Sequence, residues 1–419
     1  MLLTHLSLTN FRSFARLDLD VPGGPVLLVG GNAQGKTSLL EAVYYLATFT
    51  SFHAGADRQL VSFQVEHEPL AVTRIVADFR RSLGEIGPGT SHRMEVRLIL
   101  DAASGLPRLR KEVIVDGVPR KVGEAMGVFN AVLFLPHMLR IVEGAPDERR
   151  RYLNLALGQV WPRYAADLAE YTRILTQRNA LLKTLAERGG DPAQLDYWDD
   201  QVAQLGGGLI HARIQAVQEI ERIARPIHHQ LTRGQEVLRL DYQPAFDPFP
   251  TSPLQLGLPL KTSLDRQGLS QDKIGKGFRE ALARARREDI ARGTTSLGPH
   301  RDELRFFSNG IDLGIYGSRG QGRTAVLALK LGEVAWMKEK TGHWPVLLLD
   351  EVLAELDPAR RVDLLARLLE SEQAMLTTTD LDLYSSEYVH RSTVWQVQSG
   401  QVGSGPVTPG PVTPGPANP

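Results

Sequence analysis

Apolar and polar positions in the first third of the chain fall into short blocks. LLTHLSL, VLLV, AVTRIVADF, MEVRLIL, EVIVDG and AVLFL are runs rich in Val, Ile and Leu, parted by glycine or proline, between Met1 and about Leu135. Such runs predict strands. One of them, VLLV at 26–29, leads into Gly30, four intervening positions, Gly35, Lys36 and Thr37, then apolar residues at Leu39, Val43, Leu46 and Ala47. That order predicts strand, loop and helix. The segment RSLGEIGPGTSH, residues 81–92, predicts an exposed hairpin loop.

After Pro136 the period changes. Leu168, Leu175 and Leu182 stand seven apart, with Tyr164, Tyr171 and Leu185 on the neighbouring row and Arg178 as its polar exception. A second series, Trp198, Val202, Leu205, Leu209, Ala212, Ala216 and Ile220, follows the turn-like AERGGDP. The two predict helices packed antiparallel, either as a hairpin arm of roughly 40 Å or as part of an ordinary helical bundle. Residues 241–259 are proline-rich and read as a linker, followed by the basic helix KGFREALARARREDIARG. Strand and helix texture then returns as far as Ser399, and the tail from Gly400, with PVTPG twice, reads as disordered. The expected division is 1–135, 136–293 as a helical insert, 294–399 as a return to the first unit, and the 400–419 tail.

Composition narrows the chemistry. The 419 residues contain no cysteine, so disulfides, thiol nucleophiles and cysteine-ligated metals are excluded. The 48 basic and 48 acidic side chains cancel, so any nucleic-acid partner would depend on a local basic face. No stretch approaches the ~18 apolar residues of a membrane helix, and the start lacks the pattern of a signal peptide, which predicts a cytoplasmic protein.

The pattern Gly30-x-x-x-x-Gly35-Lys36-Thr37 is that of a phosphate-binding loop. Its backbone N–H groups, from Gly30 and Gly31 through Asn32, Ala33 and Gln34 to Gly35, can curl around a β-phosphate. The helix start aims its dipole at the same oxygens, and Lys36 adds a mobile charge near the γ-phosphate. Thr37 offers a hydroxyl to magnesium, with Ser38 as the alternative. Such a loop needs an acid to manage metal and water. VLLLDEVLAELD, residues 346–357, supplies a buried strand ending in Asp350, for the magnesium shell, and Glu351, for the attacking water. About 310 positions separate Lys36 from Asp350. No guanine-reading NKxD occurs, and the separation points to a split ATPase head.

A second glycine turn, GSRGQGRTAVLALKLGEVAWM from Gly317, again opens an amphipathic helix. One chain needs one cradle, so this second anion site is expected to complete the site of another copy. Ser318, Arg319, Gly320 and Gln321 resemble the ABC signature. Together with LTNFRSF from Leu8, GGNAQGKTS, LPHMLRIVEGAPDERRRYLN from Leu135, TTSLGPHRDEL from Thr294 and LLLDEVLAELD, in that order from Met1 to about Ser399, the chain resembles the RecF family.

The resemblance implies an α/β ABC-type ATPase head related to SMC proteins. It would have a Rossmann-like lobe I and a helical lobe II whose short antiparallel hairpin replaces a long coiled coil. It also implies binding of ATP with Mg2+, slow hydrolysis, ATP-dependent homodimers, DNA binding, and action with RecR and RecO in loading recombinase at single-strand gaps during repair, replication and the SOS response. By position, Ser318 would contact the γ-phosphate held by the other chain, and Asp357 would lie at the dimer seam. Arg12 in NFRSF would be a phosphate neighbour or a solvated strand-end arginine. FLPHML lacks the usual sensor glutamine, leaving His137 as a candidate for that role or as a satisfied loop histidine. His53 stands where the family often carries arginine.

No helix-turn-helix or zinc finger is visible, so base-specific readout is not expected. Candidate backbone contacts are Arg80 and Arg81, residues 108–111, Arg120 and Lys121, and Arg284, Arg286 and Arg287, each also readable as a solvated face. Two other classes, an ATPase subunit of a transporter and a small-molecule kinase, are disfavoured. NFRSF, GPHRDEL and the hairpin-like insert argue against the first, and the Gly317 turn argues against the second.

Overall fold

Residues 24–29, VLLV among them, become a central strand, and the runs AVLFL and VLLLD lie in the same sheet. The computed structural model describes residues 1–81, 89–102, 107–248 and 269–404. This sheet has the order β15-β14-β3-β13-β12-β8, with β3 (Gly24–Val29), β8 (Ala131–Phe134), β12 (Val346–Asp350), β13 (Gln373–Thr378) and β14 (Thr393–Gln398) parallel, and β15 (Gln401–Ser404) antiparallel at its edge. Its strands are near-continuous apolar runs because both faces are covered. Val26, Leu28, Leu133, Leu348 and Met375 enter one core, while Leu27, Val29, Phe134, Leu347 and Leu376 enter the other.

A second, antiparallel sheet runs in the order β2-β1-β4-β5-β6-β7, from β1 (Leu2–Phe11) and β2 (Phe14–Asp20) through β4 (Leu70–Arg81), β5 (Thr90–Asp101) and β6 (Arg108–Val115) to β7 (Val118–Arg120). Strand β2 lies outside the predicted runs, because three of the seven residues of FARLDLD are charged. Between the two sheets lies α1 (Lys36–Thr48), buried on almost every side: Leu39, Val43 and Leu46 share one core with Leu6 and Phe79 of one sheet and Leu28 and Leu348 of the other. The pairing of Arg81 with Thr90 closes the predicted β4–β5 hairpin, whose loop, 82–88, lies outside the described residues.

The helical insert contains α2 (Pro146–Val160), α3 (Tyr164–Arg188), α4 (Asp196–Leu231) and α5 (Gln271–Arg292). Arg213 of α4 donates to Tyr164 at the start of α3, while Arg178 in mid-α3 meets Asp199 at the start of α4, so the pair is antiparallel. Helix α4 runs past the predicted Ile220 and through Pro226 to Leu231. The arm is not a free two-helix hairpin, because α5 packs along it. Arg178, the polar exception of the heptad row, is fully buried at the centre of the three helices. It donates to Asp199 (2.8 Å), Asp289 (2.8 Å) and Thr295 (2.7 Å).

Residues 241–243, read as linker, belong instead to β9 (Leu238–Gln243), which pairs with β10 (Glu303–Ser308), itself paired with β11 (Ile311–Asp312). The rest of that linker from 249, together with the chain to 268, lies outside the described residues. Chain that was expected to return directly to the first unit at 294 therefore first adds two strands to the insert. Helices α6 (Arg319–Thr341) and α7 (Pro358–Leu368) flank β12 in sequence. Gly400 and Gln401–Ser404 are ordered, contrary to the tail expectation, since β15 pairs with β14; the PVTPG repeats lie outside the described residues.

Removing Arg178 leaves Asp289 buried and charged without its cation, while Asp199 keeps Arg286 (2.7 Å). Arg178→Ala is therefore expected to destabilise the chain by about 3–5 kcal/mol in urea unfolding followed by circular dichroism. A loss below about 1 kcal/mol would show that Asp289 finds another partner.

Candidate nucleotide site

The loop after β3 is shaped by two close approaches. A Cβ on Gly30 would lie 2.2 Å from the Val397 carbonyl oxygen of β14, so no other residue fits there. Gly35 has φ 110°, and a Cβ there would meet the Phe14 ring at 3.1 Å and Ser13 Oγ at 3.2 Å. Helix α1 starts without a side-chain cap or an acidic residue in its first turn, which leaves its N–H groups available to an anion. Lys36 is buried, with Nζ donating to Gly30 O (2.6 Å) and Gly31 O (3.2 Å) and lying 3.3 Å from Glu351 Oε1.

Parallel pairing of β13 with both β3 and β12 carries the acid strand to the loop. Thr37 Oγ1 donates to Asp350 Oδ1 at 3.0 Å, Thr377 Oγ1 donates to the same oxygen at 2.7 Å, and Glu351 N donates to Thr377 Oγ1 at 3.0 Å. Thr377 carried no sequence signal, because TTT ends an ordinary apolar strand. Burial raises the Asp350 pKa, opposed by the two threonine hydroxyls. Cis oxygens of an octahedral magnesium with bonds of 2.0–2.1 Å stand about 3 Å apart, so Thr37 Oγ1 and Asp350 Oδ1 fit that ion. Among the described residues no group of three or more His, Asp or Glu converges on a metal-sized point, so a cation here would need oxygens from a nucleotide as well.

These groups border a cleft of about 1070 Å3, which Asn32, Ala33, Gln34, Ser38, His53, Phe63 and His137 also line. Arg12 is on its wall, but the guanidinium is clamped by Glu41 at 2.8 Å through each of two nitrogens and by Gln59 O at 2.9 Å. Glu41 is 1% exposed and also accepts from Ser51, a role invisible in the sequence, where it reads as one polar position on α1. Burial, then Arg140, lowers the His137 pKa, so this histidine is a neutral group on the wall rather than a cation. Gln34 is held by the β14–β15 turn: its side-chain oxygen accepts from Ser399 N (2.7 Å) and its carbonyl from Gly400 N (3.1 Å).

The second glycine turn is elsewhere. Ser318 caps α6, accepting from Gln321 N at 3.2 Å while Gln321 Oε1 accepts from Ser318 N at 3.0 Å. Arg319 and Gly320 are exposed, and none of these four residues lines the cleft of their own chain. Asp357 is exposed, caps α7 through Arg360 N (3.0 Å) and pairs with the Arg360 guanidinium (2.9 Å). Several expected DNA contacts are consumed internally: Arg81 by Gly127 O and Val128 O, Lys111 by Asp57, and Arg286 by Asp196 and Asp199. Arg80, Arg108, Arg120, Lys121 and Arg287 remain exposed.

A phosphate-loop strand and an acid strand in one parallel sheet, an antiparallel sheet beside them, and a helical lobe leading to an exposed Gly-Ser-Arg-Gly-Gln helix start define an SMC-type ABC ATPase head. The family model of the RecF/RecN/SMC N terminal domain matches residues 2–399. Within that class the chain belongs to the RecF family. It is 40% identical to the DNA replication and repair protein RecF of Chloroflexus aurantiacus, across 96% of this chain and 99% of the relative, and 33% identical to that of Bacillus subtilis, again across 96% and 99%. A solved structure described as the recombination mediator protein RecF-ATP in RecFOR pathway superposes with a TM-score of 0.76 at 26% identity, over 96% of this chain and 98% of that one.

Because burial raises the Asp350 pKa above its unfolded value, ionisation works against the folded state above that range and the cost disappears as pH falls. Without nucleotide or metal, Asp350→Asn is expected to melt higher than the wild type at neutral pH, with the gap closing in acid. Calorimetric melts across a pH series test this, and an equal or lower melting temperature at neutral pH would contradict it.

Proposed function

We propose that this chain is an ATP-gated DNA-binding switch acting as a recombination mediator in repair of gapped DNA and in replication, with RecR and RecO in the same pathway. The observation that carries the reading is the Thr37–Asp350 bond, which joins the phosphate loop to an acid strand 313 positions away while Ser318 stays outside the cleft. In this reading the N–H groups from Gly30 to Gly35 and Lys36 bind the phosphates of ATP. Thr37 and Asp350 would hold Mg2+, which would supply charge neutralisation to the phosphates. Glu351 sits beside Lys36, so a γ-phosphate drawn to that lysine meets a carboxylate able to take a proton from water. Hydrolysis is slow and serves to release the bound state.

Each complete site then combines the cradle of one copy with Ser318, Arg319, Gly320 and Gln321 of a second, with Asp357 at the seam between them. The exposure of the signature turn supports this arrangement, and the solved structure described as RecF-ATP supports ATP as the ligand of the cradle. Among the described residues no helix is long and apolar enough to cross a membrane.

Two defective proteins test the arrangement. Lys36→Met loses the cradle's mobile cation, and Ser318→Arg blocks the signature, so each alone should fail to dimerise with ATP. A mixed dimer keeps one intact cradle facing one intact signature, and mixing should restore part of the ATP-stabilised dimer in sedimentation. No gain from two folded variants would mean that Ser318 acts in its own chain or only caps α6. Glu351→Gln should bind ATP and dimerise yet turn over at least about 100-fold more slowly, which a phosphate-release assay reads directly.

A further inference from the structure

A second pocket of about 440 Å3 opens where α2, α3 and the end of α1 meet, and no part of the nucleotide reading uses it. Arg150 and Arg151 project into it from α2. Each guanidinium is anchored through one nitrogen, Arg150 Nη1 to Asp302 O (2.9 Å) and Arg151 Nη2 to Ser51 O (2.9 Å). A guanidinium has five N–H donors, so both are oriented by the protein with donors to spare. Thr50 also borders the pocket; its hydroxyl oxygen is buried and has no hydrogen-bond partner among the described residues. The third arginine of the wall, Arg213, is already neutralised by Asp302 at 2.8 Å. Asp147 is the one carboxylate among the lining residues. His300 adds no charge: burial holds it down at about 4, with Tyr171 Oη and Thr295 O at its two ring nitrogens.

Two preset guanidinium groups and an unpartnered hydroxyl suit a tetrahedral anion bearing several acceptor oxygens. We propose that this pocket binds a phosphodiester of the DNA backbone, held by Arg150, Arg151 and the Thr50 hydroxyl. The proposal rests on the DNA-binding reading above and gives it a location. It also explains how backbone contact reaches the nucleotide. Ser51, whose carbonyl holds Arg151, uses its own hydroxyl to bond Glu41 and to accept from His53 N (2.9 Å) and Ala54 N (2.6 Å). Glu41 clamps Arg12, and both Arg12 and His53 line the nucleotide cleft. The wall between pocket and cleft is thus one loop, residues 51–54, gripped from both sides.

Anisotropy titrations of a labelled oligonucleotide with ATP present, repeated at several salt concentrations, test the site. Arg150→Ala and Arg151→Ala are each expected to weaken binding about tenfold and to flatten the slope of log K against log salt by about one. Thr50→Val should weaken binding several-fold and leave the slope unchanged, because no charge is lost. A fluorescent ATP analogue should bind Arg150→Ala and Thr50→Val as it binds the wild type. Competition by inorganic phosphate at constant ionic strength, lost in the variants together with DNA binding, supports the site. Competition lost while DNA binding is unchanged marks a free-anion pocket and overturns the assignment to DNA. Folded variants with wild-type affinity and slope also overturn it. If Arg151→Ala does not fold, the other two variants decide alone. A wild type that binds no DNA under any condition removes the broader reading and the pocket's role with it.

Discussion

Strand β13 lies between β3 and β12, and every feature that concerns nucleotides depends on that one parallel ladder. Its pairing from Gln373 with Gly24 to Thr378 with Val29 on one side, and from Ala374 with Leu347 to Thr377 with Asp350 on the other, brings two distant segments level at their carboxyl ends. The loops of a parallel sheet open there, which is where ligands bind in folds of this kind. Shifting the register by one residue would turn Thr377 from Asp350 into the opposite core. The site's precision is therefore a property of the sheet, and the loop residues inherit it.

Buried charge is handled in two opposite ways. Around Arg178 two aspartates meet two guanidinium groups, since Asp199 also accepts from Arg286 (2.7 Å), and the cluster ties three helices together. At Asp350 the carboxylate meets two neutral hydroxyls, and burial still raises its pKa. A charge that the fold leaves uncompensated is one that a cation can stabilise, so local stability is given up where binding is needed. The same contrast separates Arg12, matched by Glu41, from Arg150 and Arg151, whose anchors are neutral carbonyls.

Exposure divides the two glycine turns as well. A Cβ on Gly30 would strike the Val397 carbonyl and Gly35 stands at φ 110°, whereas a Cβ on Gly320 would come no closer than 3.9 Å to Ser318 Oγ. Crowding inside the chain accounts for Gly30, and in the second turn for Gly317 and Gly322, but not for Gly320. In the proposed dimer, that open space at Gly320 is where a second copy would close on the turn.

The sequence alone determined the local elements whose signal is short in range. Residues 26–37 announce strand, loop and helix through their own spacing, and VLLLDE announces a buried strand ending in acid, because period and glycine placement act over a few residues. It also carried the seam of α3, although it gave Arg178 as an exception when that residue is the centre of the packing. What only the tertiary structure decided is long in range: that Thr377 shares Asp350 with Thr37, that Glu41 occupies Arg12, that Arg81, Lys111 and Arg286 are spent inside the molecule, and that Gly400 belongs to a turn holding Gln34. In each case the partner lies far along the chain, from 27 positions between Asp350 and Thr377 to the whole length between Gln34 and Gly400. A hydrogen bond or ion pair leaves no periodic trace at such separations, and which charges remain free is known only when the fold has chosen which ones to pair.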